Sequence, residues 1–297
     1  MSVLSELSNG LAAAVTAAGP AVVRVEARRR LPATGIVWSA DGVIVTAHHV
    51  VTRDDNIKVV ADGSSVSATL VGRDESTDLA VLRVDASGLT SLTETNKNEL
   101  GVGNLVLALG RPGKTVQATL GIISALGDSW RTGMGGMIDR YLQTDLVMYP
   151  GFSGGPLVDV QGNLVGLNSS ALVHGVSIAV PTATIARVAD SLLAHGHIKR
   201  GYLGVSTQQV RLPDTARDEL GQKRGLLIVS VESGSPAETA GLTLGDTIVA
   251  MADMPVQNHD DLLAQLTSDR VDQATPVKIL RGGKVNTVNV TIGERPS

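Results

Sequence analysis

The chain has 297 residues, of which 43 % are hydrophobic and 18 % charged, and its net charge is −4. This composition predicts a globular protein of two or three domains and excludes a disordered chain. The negative charge, without a basic patch interleaved with aromatic residues, excludes nucleic acid as a main partner. Cysteine is absent and the six histidines are scattered, so we expect no disulfide, metal site or cofactor.

The N-terminal segment, residues 1–20, contains an Ala- and Leu-rich stretch that predicts a short amphipathic helix over residues 3–18, before Gly19-Pro20. It has no basic start followed by a long apolar run, and residues 11–23 are too short to span a bilayer. As written, the sequence therefore predicts a cytoplasmic protein. A periplasmic or extracellular location is the alternative if the true start lies upstream.

Two sets of short apolar runs follow, and runs this short and frequent predict antiparallel barrels or sandwiches. The first set comprises residues 21–27, 35–39, 43–47, 57–61, 66–71 and 79–84. The second set comprises residues 105–109, 116–123, 141–144, 156–160, 164–168 and 176–179. The low aromatic content of 2 % means that Val, Leu, Ile and Ala must form the core.

Three residue types that a serine hydrolase needs stand beside these predicted strands. His49 follows residues 43–47, Asp78 precedes residues 79–84, and Ser153 lies in the glycine-rich stretch 150–156. A serine hydroxyl needs an imidazole to take its proton and a carboxylate to orient that imidazole. Glycines beside the serine allow a sharp turn that aims backbone N–H groups at an oxyanion. The glycine-rich stretch by itself is equally typical of a turn with a solvated serine.

The spacing of apolar residues changes after about residue 180. Residues 181–195 have apolar side chains at helical spacing, and residues 196–201 are typical of a linker. Beyond them, strands are predicted at residues 226–231, 247–251, 277–281 and 287–292. Two helices are predicted between these strands, one capped by Ser235 with Pro236 in its first turn and one capped by Asn258.

These motifs resemble the HtrA (Deg) family of serine proteases. The resemblance rests on residues 46–51, 77–82 and 143–157, and it extends from about Ala21 to the C-terminus. It implies two six-stranded antiparallel barrels of the chymotrypsin type, at about 21–100 and 101–198. By the same resemblance His49 is the general base, Asp78 its orienting partner and Ser153 the nucleophile. The backbone N–H groups of Gly151 and Ser153 would form the oxyanion hole.

Two residues near the predicted site, His48 and Phe152, require interpretation. His48 and His49 are adjacent, and strand alternation would send their side chains to opposite faces. The family pattern selects His49 because the base directly precedes Val-Val or Val-Ile, and His48 is then a structural neighbour. Phe152 stands where the family usually has asparagine. We expect it to change the shape of the pocket or to bias the turn.

Residues 199–297 resemble a PDZ domain, a small α+β module, through the segments 200–205, 235–242, 244–248 and 281–284. The resemblance implies that C-terminal peptides add a strand to this domain. Their carboxylate would be held by the loop of Tyr202, Leu203, Gly204 and Val205. The alternative interpretation of this loop is the first strand of the domain.

Together these features predict a serine endopeptidase that cleaves unfolded or damaged polypeptides through an acyl-enzyme and is regulated by its PDZ domain. Leu146, Val147 and Met148 precede the nucleophile, so we expect cleavage after small or medium aliphatic residues. The run from Arg28 to Arg30 is interpreted as a solvated strand end or loop. Regulation is expected in residues 127–140, where three glycines indicate flexibility, and in residues 168–175. The family resemblance also implies a homotrimer.

Two other functions compete with this one. A catalytically dormant protease fold could act as a chaperone or a PDZ scaffold, since a sequence does not contain the geometry of a site. An α/β-hydrolase acting on small esters also has a Gly-x-Ser-x-Gly motif, which residues 151–155 match. That fold places the acid and the histidine after the serine, whereas both precede it here.

Overall fold

The structure, a computed structural model, describes residues 2–61, 63–95 and 100–295. It divides into two compact units, Met1–Ile198 and Lys199–Ser297. Helix α1, Val3–Ala18, begins the first unit as predicted, and the Ser2 side chain caps it by accepting from the Ser5 amide. Ala14 and Ala18 of α1 are buried, whereas Val3 and Leu4 are about four-fifths exposed, at 80 % and 77 %.

A closed antiparallel barrel of six strands follows, in the order β1-β2-β3-β6-β5-β4. Its strands are β1 (Val22–Glu26), β2 (Ala33–Ser39), β3 (Val43–Ala47), β4 (Ile57–Ala61), β5 (Ser64–Asp74) and β6 (Leu79–Val84). All six were predicted, with ends that shift by a few residues. The core inside them consists of Val, Ile, Leu and Ala side chains such as Ile36, Ile44 and Leu82, as the scarcity of aromatic residues requires.

The second closed barrel has the order β11-β14-β13-β12-β7-β8. Its strands are β7 (Leu105–Gly110), β8 (Gln117–Leu126), β11 (Leu142–Thr144), β12 (Pro156–Val158), β13 (Leu164–Ser169) and β14 (Ser177–Pro181). Helix α2 (Thr182–His195) follows this barrel. The expected boundary between the barrels, at about residue 100, lies beside residues 96–99, which are outside the described residues.

The segment 127–140, expected to be flexible, contains a small two-stranded sheet of β9 (Trp130–Arg131) and β10 (Met137–Ile138). Thr132 Oγ1 donates to the Ser76 carbonyl at 2.7 Å. Gly136 lies against the same residue, so close that a Cβ there would stand 2.3 Å from the Ser76 oxygen. The segment thus packs on the turn that precedes Asp78, and its expected flexibility stays a prediction.

The second unit contains a sheet in the order β16-β17-β18-β20-β21, with β19 beside β18, and a separate pair of β15 and β22. Its strands are β15 (Gly201–Tyr202), β16 (Val205–Arg211), β17 (Arg224–Val231), β18 (Thr247–Met251), β19 (Met254–Pro255), β20 (Ala274–Arg281), β21 (Lys284–Thr291) and β22 (Gly293–Glu294). Its helices are α3 (Asp214–Leu220), α4 (Pro236–Thr239) and α5 (His259–Gln265). Strand β16 and helix α3 had not been predicted.

Both predicted helix caps of this unit are confirmed. Ser235 accepts from the Glu238 amide, and Asn258 forms a capping box with Asp261. An ion pair joins strand β20 to the start of β18, where Arg281 donates to both carboxylate oxygens of Asp246 at 2.6 and 2.7 Å. Burial alone would raise the pKa of Asp246, but the hydrogen bonds from Arg281 and from the Thr243 amide outweigh it and lower that pKa.

Candidate active site

The side chains of His49 and Asp78 lie in contact at one end of the first barrel. His49 Nδ1 is 2.8 and 3.0 Å from the two carboxylate oxygens of Asp78, and the His49 amide donates to the same carboxylate at 2.9 Å. Asp78 is only 3 % exposed, and Ser169 Oγ donates to it at 2.5 Å. A buried carboxylate on Nδ1 selects the tautomer that carries its proton there, which leaves Nε2 free to accept a proton.

The backbone of Asp78 is unusual, with φ at +55° in the left-handed region. Aspartate tolerates this region better than most residues, but it is uncommon outside glycine. The turn that holds it is anchored by Asp74, whose carboxylate accepts from Ser76 and Thr77 at 2.7 Å each. The local fold thus presents the Asp78 carboxylate to His49 at the expense of an uncommon backbone conformation.

His48 and His49 lie in a 3₁₀ turn, His48–Val50, and not in a strand. The alternation of side chains along a strand therefore does not apply to them, although the two imidazole rings do make different contacts. The His48 amide donates to the Asp78 carbonyl at 3.0 Å. Its Nδ1 is buried, and within the described residues it has no hydrogen-bond partner. His49 is the histidine whose ring meets Asp78.

Ser153 stands on a tight turn before β12, and its flanking glycines are needed there. Gly154 has φ at +86°, and a Cβ on it would lie 2.2 Å from the Thr34 carbonyl oxygen. A Cβ on Gly155 would lie 2.1 Å from the Leu109 oxygen. Strand β13 fixes the turn, because the Gly154 amide donates to the Asn168 carbonyl and the Asn168 amide donates to the Gly155 carbonyl, both at 2.9 Å.

Thr34 of the first barrel joins this turn to β2, which the sequence patterns did not indicate. Its Oγ1 donates to the Gly151 carbonyl at 2.6 Å and accepts from the Arg111 amide at 2.8 Å. Its amide donates to the Ser153 carbonyl at 3.4 Å. Through this one buried threonine, the barrel that carries His49 also holds the backbone that carries Ser153.

The two amides expected to bind an oxyanion donate to no acceptor within the described chain. The Phe152 carbonyl accepts from the Gly155 amide at 2.9 Å. Because the peptide bond is trans, the Ser153 N–H points the opposite way. Gly151 has φ at +92° and packs against Pro112, which would stand 2.6 Å from an added Cβ. A glycine is therefore needed at this position.

The hydroxyl of Ser153 makes a contact that the sequence had not suggested. Ser153 Oγ lies 3.0 Å from Ser170 Oγ. Among the described residues no hydrogen bond joins Ser153 to His49, although both line one cavity of about 290 Å³. Ser170 lines that cavity as well. Asp78 and His49 are thus hydrogen-bonded to each other, while the Ser153 hydroxyl is hydrogen-bonded to Ser170.

The rest of the cavity wall differs in part from expectation. Met148 lines it, but Leu146 is buried in the second barrel and Val147 is 60 % exposed. Arg28 and Leu31 also line the cavity, so the arginine run is not simply a solvated strand end. Phe152 is fully buried in the core of the second barrel instead of shaping the pocket.

The second unit has its own cavity, of about 570 Å³. Tyr202, Leu203, Gly204 and Val205 line it together with β16 and helix α5. The Leu203 carbonyl accepts from the Ala237 amide at 2.9 Å, and the Gly204 carbonyl accepts from the Glu232 amide at 2.8 Å. In trans peptides the N–H groups of Gly204 and Val205 then point away from these partners.

Tyr202 is held at the side of this cavity by its hydroxyl, which donates to Glu232. This hydrogen bond raises the pKa of the Tyr202 phenol. Strand β16 is at the edge of the sheet. An edge strand next to a helix is the arrangement that accepts an added peptide strand. In this structure the Thr207 carbonyl of β16 lies 3.0 Å from His259 Nε2 of helix α5.

Comparison with known proteins places this geometry in context. Residues 33–167 match the model of the trypsin-like peptidase domain, and residues 201–292 match the PDZ domain. A probable periplasmic serine endoprotease, DegP-like, from Rhizobium meliloti is 37 % identical over 280 residues, which are 91 % of this chain and 55 % of that protein. The corresponding Chlamydia muridarum protein is 34 % identical, over 92 % of this chain and 56 % of that protein. This chain thus spans about half the length of these relatives.

These relatives correct one expectation. They are named periplasmic, which contradicts the cytoplasmic location expected from the first residues. The expectation was drawn from the lack of an export signal in the first residues, and such a lack does not establish a location. Within residues 2–61, 63–95 and 100–295, the structure contains no helix of the length and apolarity needed to cross a bilayer.

Solved structures agree along nearly the whole chain. The serine endoprotease from Yersinia pestis is 33 % identical, with a TM-score of 0.79 over 96 % of this chain and 98 % of that one. The HtrA-type protease AlgW with a tripeptide is also 33 % identical, with a TM-score of 0.77 over 97 % and 98 % of the two chains. The two closed barrels and the PDZ domain that follows them are therefore shared features, and the chain belongs to the HtrA-type, DegP-like family of serine endoproteases.

Proposed function

We propose that the chain is a serine endopeptidase that hydrolyses unfolded or damaged polypeptides with His49, Asp78 and Ser153 as its catalytic triad. The observation that carries this proposal is the bond of His49 Nδ1 to both oxygens of the buried Asp78, in a cavity that Ser153 shares. A lone histidine on a protein surface has no reason to be oriented in this way. The pair matches what a serine nucleophile requires of its base.

In this mechanism Ser153 Oγ attacks the scissile carbonyl carbon while His49 Nε2 takes the hydroxyl proton. Asp78 keeps the imidazole in the correct tautomer and stabilises the imidazolium that forms. The amides of Gly151 and Ser153 donate to the oxyanion. His49 then gives the proton to the leaving amine, which departs and leaves an ester on Ser153. Water, activated by the same histidine, hydrolyses that ester and restores the serine.

A fluorophosphonate probe tests the proposal, because it bonds covalently to an activated serine. We expect labelling of the wild type at Ser153, identified by peptide mass spectrometry, and loss of labelling together with casein cleavage in Ser153→Ala. Ser124→Ala is the matched control. Ser124 lies in strand β8, and its buried hydroxyl has no hydrogen-bond partner among the described residues. An unlabelled wild type would refute the assignment.

A dormant protease fold that acts as a chaperone or PDZ scaffold is the second candidate. One observation favours it, since the Ser153 hydroxyl is bonded to Ser170 and not to His49. The probe experiment separates the two functions when it is combined with an aggregation assay. A chaperone would protect an unfolding client without labelling, and Ser153→Ala would protect equally well.

We further propose residues 1–20, 21–198 and 199–297 as the N-terminal segment, the protease domain and the PDZ domain. The loop from Tyr202 to Val205 would bind the carboxylate of C-terminal peptides, and the peptide would pair with β16. The HtrA-type protease AlgW was solved with a decapeptide and with a tripeptide, which supports peptides as ligands here. Fluorescence anisotropy tests this site, since a free C-terminal carboxylate should bind and the same peptide with a terminal amide should not.

Substrate preference, regulation and assembly complete the proposal. Met148 in the cavity wall favours small or medium aliphatic residues before the scissile bond, and a preference for Lys or Arg esters would refute this. Regulation is proposed to act through residues 127–140 and 168–175. It requires that PDZ ligands change the cleavage rate. The exposed Val3 and Leu4 of helix α1 support a homotrimer formed through the N-terminal segment, which sedimentation of a Leu4→Glu variant would test.

A further inference from the structure

We infer that Ser170 is a positioning residue that holds the hydroxyl of Ser153 away from His49 in part of the enzyme population. The inference rests on the proposed peptidase function and adds a residue that the motifs of the chain did not indicate. Its basis is the 3.0 Å contact between the two serine hydroxyls. Within the described chain His49 Nε2 has no hydrogen-bond partner, so the bond that proton transfer requires is absent while this contact is made.

The segment that carries Ser170 contacts the nucleophile turn, the acid and the nucleophile in turn. The Asn168 carbonyl accepts from the Gly154 amide at 2.9 Å, on the turn that carries the nucleophile. Ser169 Oγ donates to Asp78 at 2.5 Å. Ser170 then meets Ser153. Three consecutive residues therefore hold the nucleophile turn, the acid and the nucleophile. A change confined to Ser170 can release Ser153 without loosening Asp78.

In this inference a rotation about the Cα–Cβ bond of Ser153 exchanges the two partners. The staggered positions of a serine hydroxyl are separated by about 120°. Attack requires the hydroxyl within about 3 Å of the imidazole nitrogen. Both candidate partners of that hydroxyl line one cavity of about 290 Å³. A serine hydroxyl has one proton to donate, so a Ser153 that donates to Ser170 cannot donate to His49, and in that arrangement Ser170 competes with His49.

This competition lowers the fraction of enzyme that is ready to react. When only a fraction of the molecules has the competent arrangement, the apparent rate is reduced by that fraction. A single neutral hydrogen bond corresponds to about a two- to tenfold change in such a population. Removal of the Ser170 hydroxyl should therefore accelerate the reaction of Ser153 by about two- to tenfold.

Ser170 is suited to this test because it is exposed, whereas its neighbour Ser169 is only 1 % exposed. Ser170→Ala removes the hydroxyl with little effect on packing, and Ser170→Thr keeps the hydroxyl and adds a methyl group at an exposed position. Ser124→Ala serves again as the Ser→Ala control in the same barrel. Thermal unfolding of each variant confirms equal folding.

The experiment measures the second-order rate of fluorophosphonate labelling and kcat and KM for a peptide, both as functions of pH, in the full chain. We expect faster labelling and a higher kcat in Ser170→Ala with KM unchanged, and wild-type values in Ser170→Thr and Ser124→Ala. The pH midpoint should not move, since the His49–Asp78 pair is intact. A structural disturbance of the site would instead shift that midpoint.

The outcomes separate this inference from the proposed function. If the wild type is labelled at Ser153 and Ser170→Ala is no faster, or is slower, Ser170 does not compete with His49 and the inference is wrong. It is also wrong if Ser170→Thr is as fast as Ser170→Ala, because the hydroxyl is then irrelevant. If neither the wild type nor Ser170→Ala is labelled, the peptidase function itself fails, and the inference fails with it.

Discussion

Phe152, the single phenylalanine of the chain, makes a sharp prediction about stability. Its side chain is fully buried in the core of the second barrel, next to the nucleophile. The ring lies flat against Gly110, so that a Cβ there would be 2.5 Å from the ring. The edge of Tyr149 approaches it with ring centroids 5.9 Å apart. Loss of this ring would leave a cavity in that core.

Phe152→Ala should therefore lower the free energy of unfolding of the first unit by about 3–5 kcal/mol, the usual cost of removing a buried phenylalanine. Domains are typically stable by only about 5–15 kcal/mol, so the loss should move the denaturation midpoint far. Tyr149→Ala is the matched control. This ring is 55 % exposed, and loss of its edge contact should cost about 0.5–1.5 kcal/mol.

Denaturant unfolding followed by tryptophan fluorescence measures this effect in the intact protein. Both tryptophans of the chain, Trp38 and Trp130, lie in the first unit, so the signal does not include unfolding of the second. A double-mutant cycle with Tyr149→Ala isolates the ring–ring contact. If Phe152→Ala unfolds within about 1 kcal/mol of the wild type, the ring does not support the core as described.

Three further predictions follow from other contacts. Asp78→Asn should leave the fold intact and lower kcat by about 10⁴-fold, because the amide favours the wrong tautomer of His49. Steady-state cleavage of a peptide measures this, and a loss of kcat under tenfold would contradict it. Arg28→Glu should slow the cleavage of peptides with Glu beside the scissile bond by a few-fold relative to the same peptides with Gln, and this effect should be smaller at high salt. Equal Glu-to-Gln rate ratios in the variant and the wild type would contradict it. The pKa of Asp246 is lowered in the fold, so its stabilising effect is complete above the ordinary aspartate pKa of 3.8 and is lost as the pH falls through and below that value. Hydrogen exchange in residues 224–251 should show that Asp246→Asn flattens this pH dependence, whereas an unchanged profile would argue against the Arg281 pair.

Local patterns in the sequence were sufficient for most of the architecture. The β-branched runs of both barrels are buried, and their short spacing predicted the strands. Ser235 and Asn258 marked helix starts because their side chains cap amides three residues away. Strand β16 was missed because it is an edge strand with few buried residues, so its pattern is mostly polar.

The candidate triad could be recognised from the sequence because each of its residues sits at the end of a strand, in a short motif of its own. Strand alternation only assigned His48 and His49 to different sites, and it does not apply because the residues lie in a 3₁₀ turn. The family pattern and the contact with Asp78 nevertheless select the same histidine. The expected cytoplasmic location had no comparable support, since it rested only on the lack of an export signal in the first residues.

The sequence by itself determined two groups of barrel strands, the helices whose first residues are recognisable caps, and three chemically matched residues beside the strands. Only the tertiary structure decided which groups meet. Thr34 donates a hydrogen bond to the carbonyl of Gly151, which lies 117 positions later in the chain. The Ser153 hydroxyl, which the sequence motifs assign to His49, contacts Ser170 instead. The physical reason is that strand propensity and helix capping depend on residues a few positions apart, whereas hydrogen bonds in an active site depend on how two closed barrels bring distant backbone segments together.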